Sequence, residues 1–316
     1  MTGLVGNTLV LLVLRRDGLV RTSANVYLSA LAVGDSLLLI VASVVVYPGH
    51  GWGWWFDDAS RLACHVTRPV LFTLGTASTW FIVGFTVERC VVVRFPLLKL
   101  RLCTPRNAGL CCGSLLVLAF VKNIDLFFLQ DLVVYSDSGD VTCTATLRYR
   151  DYMNNYRPKI NFATTGVIPI VIVIVCNWAI IRTLRRDLVQ TTARDSIVRH
   201  TTFMCLAVSF AFVVCVFPAH VFYVTIPNWP MPLQDQFDIQ QCLLLLRYTN
   251  HAVNFFLYSL TGAHFRCELV ALFRSFIQRG RATAGVVRSV TSRVTDMLHY
   301  RRELDHHFEM HLNEHC

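Results

Sequence analysis

The chain has 316 residues, of which 54% are hydrophobic and only 16% charged, with a mean hydropathy of +0.49. Soluble domains carry nearer a quarter charged residues, so the composition points to a protein embedded in lipid. The net charge of +9 does not indicate a nucleic-acid partner, because 21 of the 29 Lys and Arg fall into four separate clusters, at 15–21, 89–106, 182–199 and 266–302. A nucleic-acid binder needs one basic face; here acidic connections holding Asp57, Asp58, Asp131, Asp137, Asp140, Asp235 and Asp238 separate the clusters. Alternation of basic and acidic connections is the positive-inside pattern of a chain that crosses a membrane repeatedly.

In chain order, the opening stretch "MTGLVGNTLVLLVL" (1–14) reads as part of a first span. Fourteen residues rise only about 21 Å against a hydrocarbon core of about 30 Å, so the first helix is expected to be truncated. Arg15-Arg16 follows the apolar part and no small-residue cleavage site precedes the next span, which argues against a signal peptide. Six further spans are expected at 25–47, 64–93, 108–129, 162–184, 199–226 and 242–260. Pro169 and Pro218 fall inside spans, where neighbouring helices re-satisfy the freed carbonyls and the chain bends at a fixed place.

After the last span, "FRCELVALFRSFI" puts Phe265, Leu269, Leu272, Phe273 and Phe276 on one helical face flanked by Arg266 and Arg274. This predicts an amphipathic helix at about 262–278 lying on the inner membrane surface. The remainder, 279–316, is basic and then rich in histidine, without core periodicity, and is expected to be a disordered cytoplasmic tail. His307, His311 and His315 would share a face and bind zinc weakly if that tail were helical; a solvated tail is the simpler reading. The expected architecture is an all-α membrane protein, with a seven-helix bundle in a domain at 1–278.

Twelve cysteines include no CxxC pair and no zinc spacing. Most lie in apolar spans and pack as small hydrophobes, whereas Cys64 and Cys143 both fall on the acidic side and are the candidates for a disulfide. Intramembrane polar groups are expensive and therefore functional candidates. Asn7, Asp35, Ser78, Asn250 and Asn254 each lie within two to three turns of an inner boundary and can meet at one depth. One carboxylate among amides and a hydroxyl suits a small hard cation such as sodium, with Asp35, Ser78, Asn250 and Asn254 as ligands. An ion-free hydrogen-bonded network explains the same residues equally well. Lys122 and Asp125 are most simply an i,i+3 pair. No G-x-S-x-G, H-E-x-x-H or phosphate loop gives catalysis a foothold, so no enzyme is expected.

Gly6-Asn7, "LAVGD" at 31–35, Cys64 with "ERC" at 88–90, Pro96, Pro169, "FVVCVFP" at 212–218 and "NFFLY" at 254–258 follow one another in an order and spacing that resembles the rhodopsin-like, class A, G-protein-coupled receptors. "NFFLYSLTGAHFR" and Asn177 after Pro169 are similar to invertebrate FMRFamide and other neuropeptide receptors. The resemblance implies a multi-pass plasma-membrane receptor with a cytoplasmic C-terminus. Its partners would be an extracellular peptide, a heterotrimeric G protein and membrane lipid. It also implies a Cys64–Cys143 disulfide tying the third span to the second outer loop. Glu88 would hold Arg89 at rest and release it towards the G protein. Pro218 would be the pivot of the sixth span, and Asn254 and Tyr258 would swing inward.

The Glu88–Arg89 pair is expected at the water interface, where exchanging a partner costs about 1 kcal/mol or less; a topology-setting charge pair is the plainer alternative. The outer cavity would be lined by Arg68, Leu71, Phe72, Tyr223, Arg247 and Tyr248. Leu71 stands where amine receptors carry an aspartate, so Arg68 and Arg247 favour an anionic group instead. Arg247 could equally pair with Asp238. Departures from the family pattern are Cys90 for Tyr, Val216 for Trp, Phe255 for Pro, Asn177 for Tyr, and a fourth span without Trp. Val216 and the short first span motivate a degenerate or non-signalling receptor as the alternative. A transporter fits less well, because no internal repeat and only one buried acid are present.

Overall fold

The computed structural model describes residues 2–16, 22–45, 55–134, 141–186, 193–226, 229–262 and 265–278. The expected tail at 279–316, with His307, His311 and His315, lies outside the described residues, as do Arg21, Asp137 and Asp140. Among the described residues seven principal helices follow one another in the unit Met1–Arg266, with shorter helical turns such as Pro96–Leu102 between them. They are α1 (Thr2–Leu14), α2 (Ser23–Val45), α3 (Arg61–Arg94), α4 (Pro105–Asn123), a composite α5, α6 (Ala193–Thr225) and a two-part α7. α5 runs through Tyr152–Tyr156, Arg157–Asn161, Phe162–Val167 and Ile168–Arg186, the first and third segments being π turns. α7 consists of Leu233–Ala252 and Asn254–Thr261, joined at Val253. Residues 265–278 form a further helix, α8; the second unit, Cys267–Cys316, is described only over its helical residues to 278.

Local chemistry sets the boundaries. α3 starts where Ser60 Oγ accepts the Ala63 amide at 3.1 Å and stops at Phe95, because Pro96 cannot continue it. α4 starts at Thr104, whose hydroxyl accepts from the Asn107 amide, with Pro105 as the first helical residue. The buried positions of α6, Thr202, Cys205, Val208, Ser209, Phe212, Cys215, Val216, Ala219 and Phe222, form one stripe at helical spacing. α4 buries only Ala108, Cys112, Ala119 and Asn123, leaving Leu110, Val117, Leu118 and Val121 exposed. An apolar outer face of that kind is what lipid solvates.

Five helices, α2 to α6, are long and apolar enough to cross a membrane. α1 is shorter, and α7 carries Gln234, Asp235, Gln236, Asp238, Gln240 and Gln241 in its N-terminal half. α1 nevertheless packs closely. A Cβ at Gly6 would lie 2.9 Å from Phe255 Cβ, and one at Gly3 would lie 2.8 Å from Ala252 Cβ, so glycine is required for α1 to approach α7.

Two expectations needed revision here. The fifth helix is already formed at Tyr152, well before residue 162, and Pro158 is tolerated in the first turn of its Arg157–Asn161 segment, where a missing N–H costs least. The outer loop between α4 and α5 is a hairpin, absent from the sequence reading. In it β1 (Gln130–Val134) pairs antiparallel with β2 (Val141–Ala145), with Leu132 opposite Cys143. Cys143 is disulfide-bonded to Cys64 near the start of α3, their Cα atoms 5.5 Å apart. The bond fixes the hairpin over the bundle. Replacing Cys143 with Ser should cost about 2–5 kcal/mol, read as a lower Tm of the purified protein and less protein at the cell surface. An unchanged Tm would show that the hairpin holds without the bond.

Candidate functional site

The hairpin and the outer end of α3 are joined by charge. Cys143 N donates to Asp58 Oδ1 at 2.6 Å. Arg68 donates to Asp57 at 3.1 Å and to the Cys143 carbonyl at 3.2 Å, and Thr67 Oγ1 donates to the other Asp57 oxygen at 2.6 Å. Further out, Arg61 pairs with Asp131 at 3.0 Å, and His65 Nδ1 donates to the Phe127 carbonyl at 2.7 Å. The Leu132 amide and then Arg61 hold the Asp131 carboxyl below its usual range. Three of the acids read from sequence as loop charges, Asp57, Asp58 and Asp131, thus build the rim.

Inside this rim lies a cavity of about 490 Å³. Arg68, Leu71, Phe72, Tyr223, Arg247 and Tyr248 all line it, together with Trp55, Gln130, Arg157, His220 and, at helix positions further in, Val216 and His251. Its charges are unequal in their partners. Arg68 is matched by Asp57. Arg157 pairs with Asp125, donates to Asn123 Oδ1 at 3.1 Å, and stacks over Phe72, 5.4 Å from the ring centre. Arg247 has no acidic partner among the described residues. Asp238, the candidate partner, instead accepts from Gln234 at 3.1 Å on its own helix. Gly75 admits Arg247, whose Nη2 would stand 3.1 Å from a Cβ there. Lys122 and Asp125 do not form the expected pair, because Lys122 donates to Asn161 at 2.7 Å while Asp125 takes Arg157 and Tyr152.

Deeper in the bundle the intramembrane polar groups converge. Asp35, fully buried on α2, accepts from Ser78 Oγ at 2.7 Å and His251 Nδ1 at 2.6 Å on one oxygen. Asn254 Nδ2 donates to its other oxygen at 2.7 Å. Asn7 Nδ2 donates to the His251 carbonyl at 3.2 Å, which attaches α1 to α7 near the Val253 junction. Asn250 is buried on α7 and makes no hydrogen bond to Asp35. Tyr258 is buried with its hydroxyl lacking a partner among the described residues, its ring meeting Phe265 edge-on at 5.9 Å. Pro218 lies inside α6 and leaves the Val214 carbonyl without its usual donor.

Near the C-terminal end of α3 Arg89 pairs with Glu88, and Ser23 Oγ donates to the same Glu88 oxygen at 2.8 Å. The Arg89 guanidinium also lies over Phe85, 5.6 Å from the ring centre. Both charged side chains are buried, 7% and 8% exposed, and not at the water interface as expected. The start of α2 and the Phe85 ring cover them. Releasing Arg89 therefore means giving up a desolvated pair, which is costlier than an exposed one.

Residues 6–258 match the family model described as 7 transmembrane receptor (rhodopsin family). The chain belongs to the rhodopsin family of seven-transmembrane receptors. Among relatives of this rhodopsin-family chain, the human uracil nucleotide/cysteinyl leukotriene receptor is 30% identical over 220 residues, 69% of the chain and 57% of that receptor. Human galanin receptor type 2 is 26% identical over 298 residues, 90% of the chain and 74% of that receptor. The matched stretch thus spans little more than half of the first of these relatives. The family is one of membrane receptors and not of enzymes, and the five long apolar helices suit a chain that crosses a membrane several times.

The sequence missed His251, Arg157 and His220. His251 had a signal, an ionisable residue within the apolar seventh span. Arg157 had none, because the fifth span was expected to begin after it. Ser23 was missed as a holder of Glu88, a contact between distant segments that no local pattern encodes. Ser23→Ala should loosen the Glu88–Arg89 pair and lower the Tm of the purified protein, because a buried, charge-assisted hydrogen bond is lost. A Tm equal to wild type would show that Ser23 does not hold Glu88.

Proposed function

We propose that this receptor carries the binding of an extracellular peptide to a heterotrimeric G protein at its inner face, with the C-terminus cytoplasmic. One observation carries the ligand reading: Arg247 faces a cavity of about 490 Å³ with no acidic partner among the described residues. A buried or half-buried guanidinium without a counter-charge is a standing demand for an anion, met by a peptide's acidic side chain or free carboxylate. Trp55, Phe72, Tyr223 and Tyr248 offer ring faces, and Gln130, Gln240 and Gln241 offer amides suited to peptide backbone. The volume suits the end of a chain rather than a whole peptide.

Ligand binding would favour a state in which Arg89 is free, through unequal affinity for the resting and active conformations. The Asp35 network, with Asn254 and Tyr258 on the inner half of α7 and Pro218 in α6, lies between cavity and inner face and would relay the change. The basic clusters argue that this face is cytoplasmic, and the amphipathic α8 would lie on lipid there. A second reading follows from the same cations: an anionic small molecule, the class to which the uracil nucleotides in one relative's name belong.

The two readings separate in one screen on expressing cells, using peptides with a free C-terminus, their amidated counterparts, and nucleotides. The peptide reading expects responses to free-acid or acidic peptides, and Arg247→Gln should lower their potency about tenfold to a hundredfold, the worth of one charge-assisted hydrogen bond. Arg89→Ala should abolish or alter the response while leaving binding intact. Responses to nucleotides alone would favour the second reading. Silence to every compound at normal surface expression would favour a non-signalling receptor, the alternative that Val216 raises.

A further inference from the structure

The fit of a sodium ion to Asp35 can be tested on the geometry around it. Small hard cations hold oxygen ligands at about 2.3–2.6 Å. His251 Nδ1 is already 2.6 Å from Asp35 Oδ1, on the oxygen that also accepts from Ser78, and Asn254 turns its amide nitrogen, a donor, towards Oδ2. Asp35 is fully buried and His251 nearly so. A cation at this carboxylate would have to displace an imidazole and would meet N–H groups in place of lone pairs. Asn250, the fourth oxygen ligand in the sodium reading, makes no bond to Asp35. The residues present do not fit the ion.

We propose that His251 takes the place of a sodium ion, satisfying the core carboxylate with an imidazole N–H so that the resting receptor is indifferent to sodium. A buried carboxylate must be matched by donors or counter-charge, and here α3 and α7 supply three donors. His251 also lines the outer cavity, so the group that grips Asp35 is within reach of whatever enters there. A bound ion is free to leave, whereas this side chain is covalently fixed to α7.

The test needs neither ligand nor signalling, so its failure is separate from failure of the receptor reading. Thermal unfolding of the purified receptor is compared in sodium chloride and choline chloride at equal ionic strength of about 0.15 M. The wild type should give the same Tm in both. His251→Ser, which opens the position and adds an oxygen, should gain about 2–4 °C in sodium, and Asp35→Asn in that background should remove the gain. A wild-type Tm that rises saturably with sodium, and stops doing so in Asp35→Asn, overturns the proposal. So does a folded His251→Ser protein that ignores sodium. Should His251→Ser not fold, His251→Asn supplies the same comparison, and the wild-type arm requires no substitution.

Discussion

A carboxylate with no exposed surface, on the second of seven helices, constrains how the others can pack. Asp35 cannot be buried alone at acceptable cost, so α3 must bring Ser78 and α7 must bring His251 and Asn254 to within hydrogen-bonding distance of it. α1 is then attached through Asn7 to the His251 carbonyl, and Gly3 and Gly6 allow the approach that this bond needs. Four of the seven helices are thus positioned by one charge and the donors it requires. Apolar packing cannot give the same specificity inside a bilayer, where lipid tails compete equally for every leucine.

The same network divides the protein into an outer and an inner half. Above it, Cys64–Cys143 and the Asp57, Asp58 and Asp131 contacts hold a hairpin over a cavity with one guanidinium left unmatched. Below it, Glu88 and Arg89 form a buried pair that Ser23 and Phe85 cover. Val216 lines the cavity where the family commonly has a tryptophan, and His251 lines it from α7. Two charge pairs with different surroundings thus lie on either side of the network: Arg68–Asp57 beside the cavity, with Arg68 partly exposed, and Glu88–Arg89 with both side chains buried.

Much of this was legible in the sequence, and for physical reasons. Spans of twenty apolar residues and basic clusters are long, redundant signals, and they gave the helices and the family pattern. Asp35, Ser78 and Asn254 stood out because polar groups in lipid are rare, and their convergence follows from similar depth along neighbouring helices. What could not be read was the pairing of side chains across distant elements. Lys122 and Asp125 are three residues apart, yet Asn161 and Arg157 outcompete that pairing once α5 extends to Tyr152. Glu88–Arg89 was expected at the interface because sequence gives position along a helix but not what covers it. The hairpin carried a weak signal, since the β-branched stretches "QDLVV" and "VTCTA" flank a run rich in Ser, Asp and Gly. A search for apolar spans passes over such short segments.

The central claim, that Asp35 joins α2 to α7 through specific donors, is tested most directly by a double-mutant cycle. Tm-derived stabilities of purified wild type, Asp35→Asn, Asn254→Ala and the double variant would be measured under one set of conditions. A direct bond predicts a coupling of about 0.5–3 kcal/mol between the two sites, so that the double variant is more stable than the sum of the singles would have it by that amount. Additivity within about 0.3–0.5 kcal/mol, the behaviour of independent sites, would contradict the account.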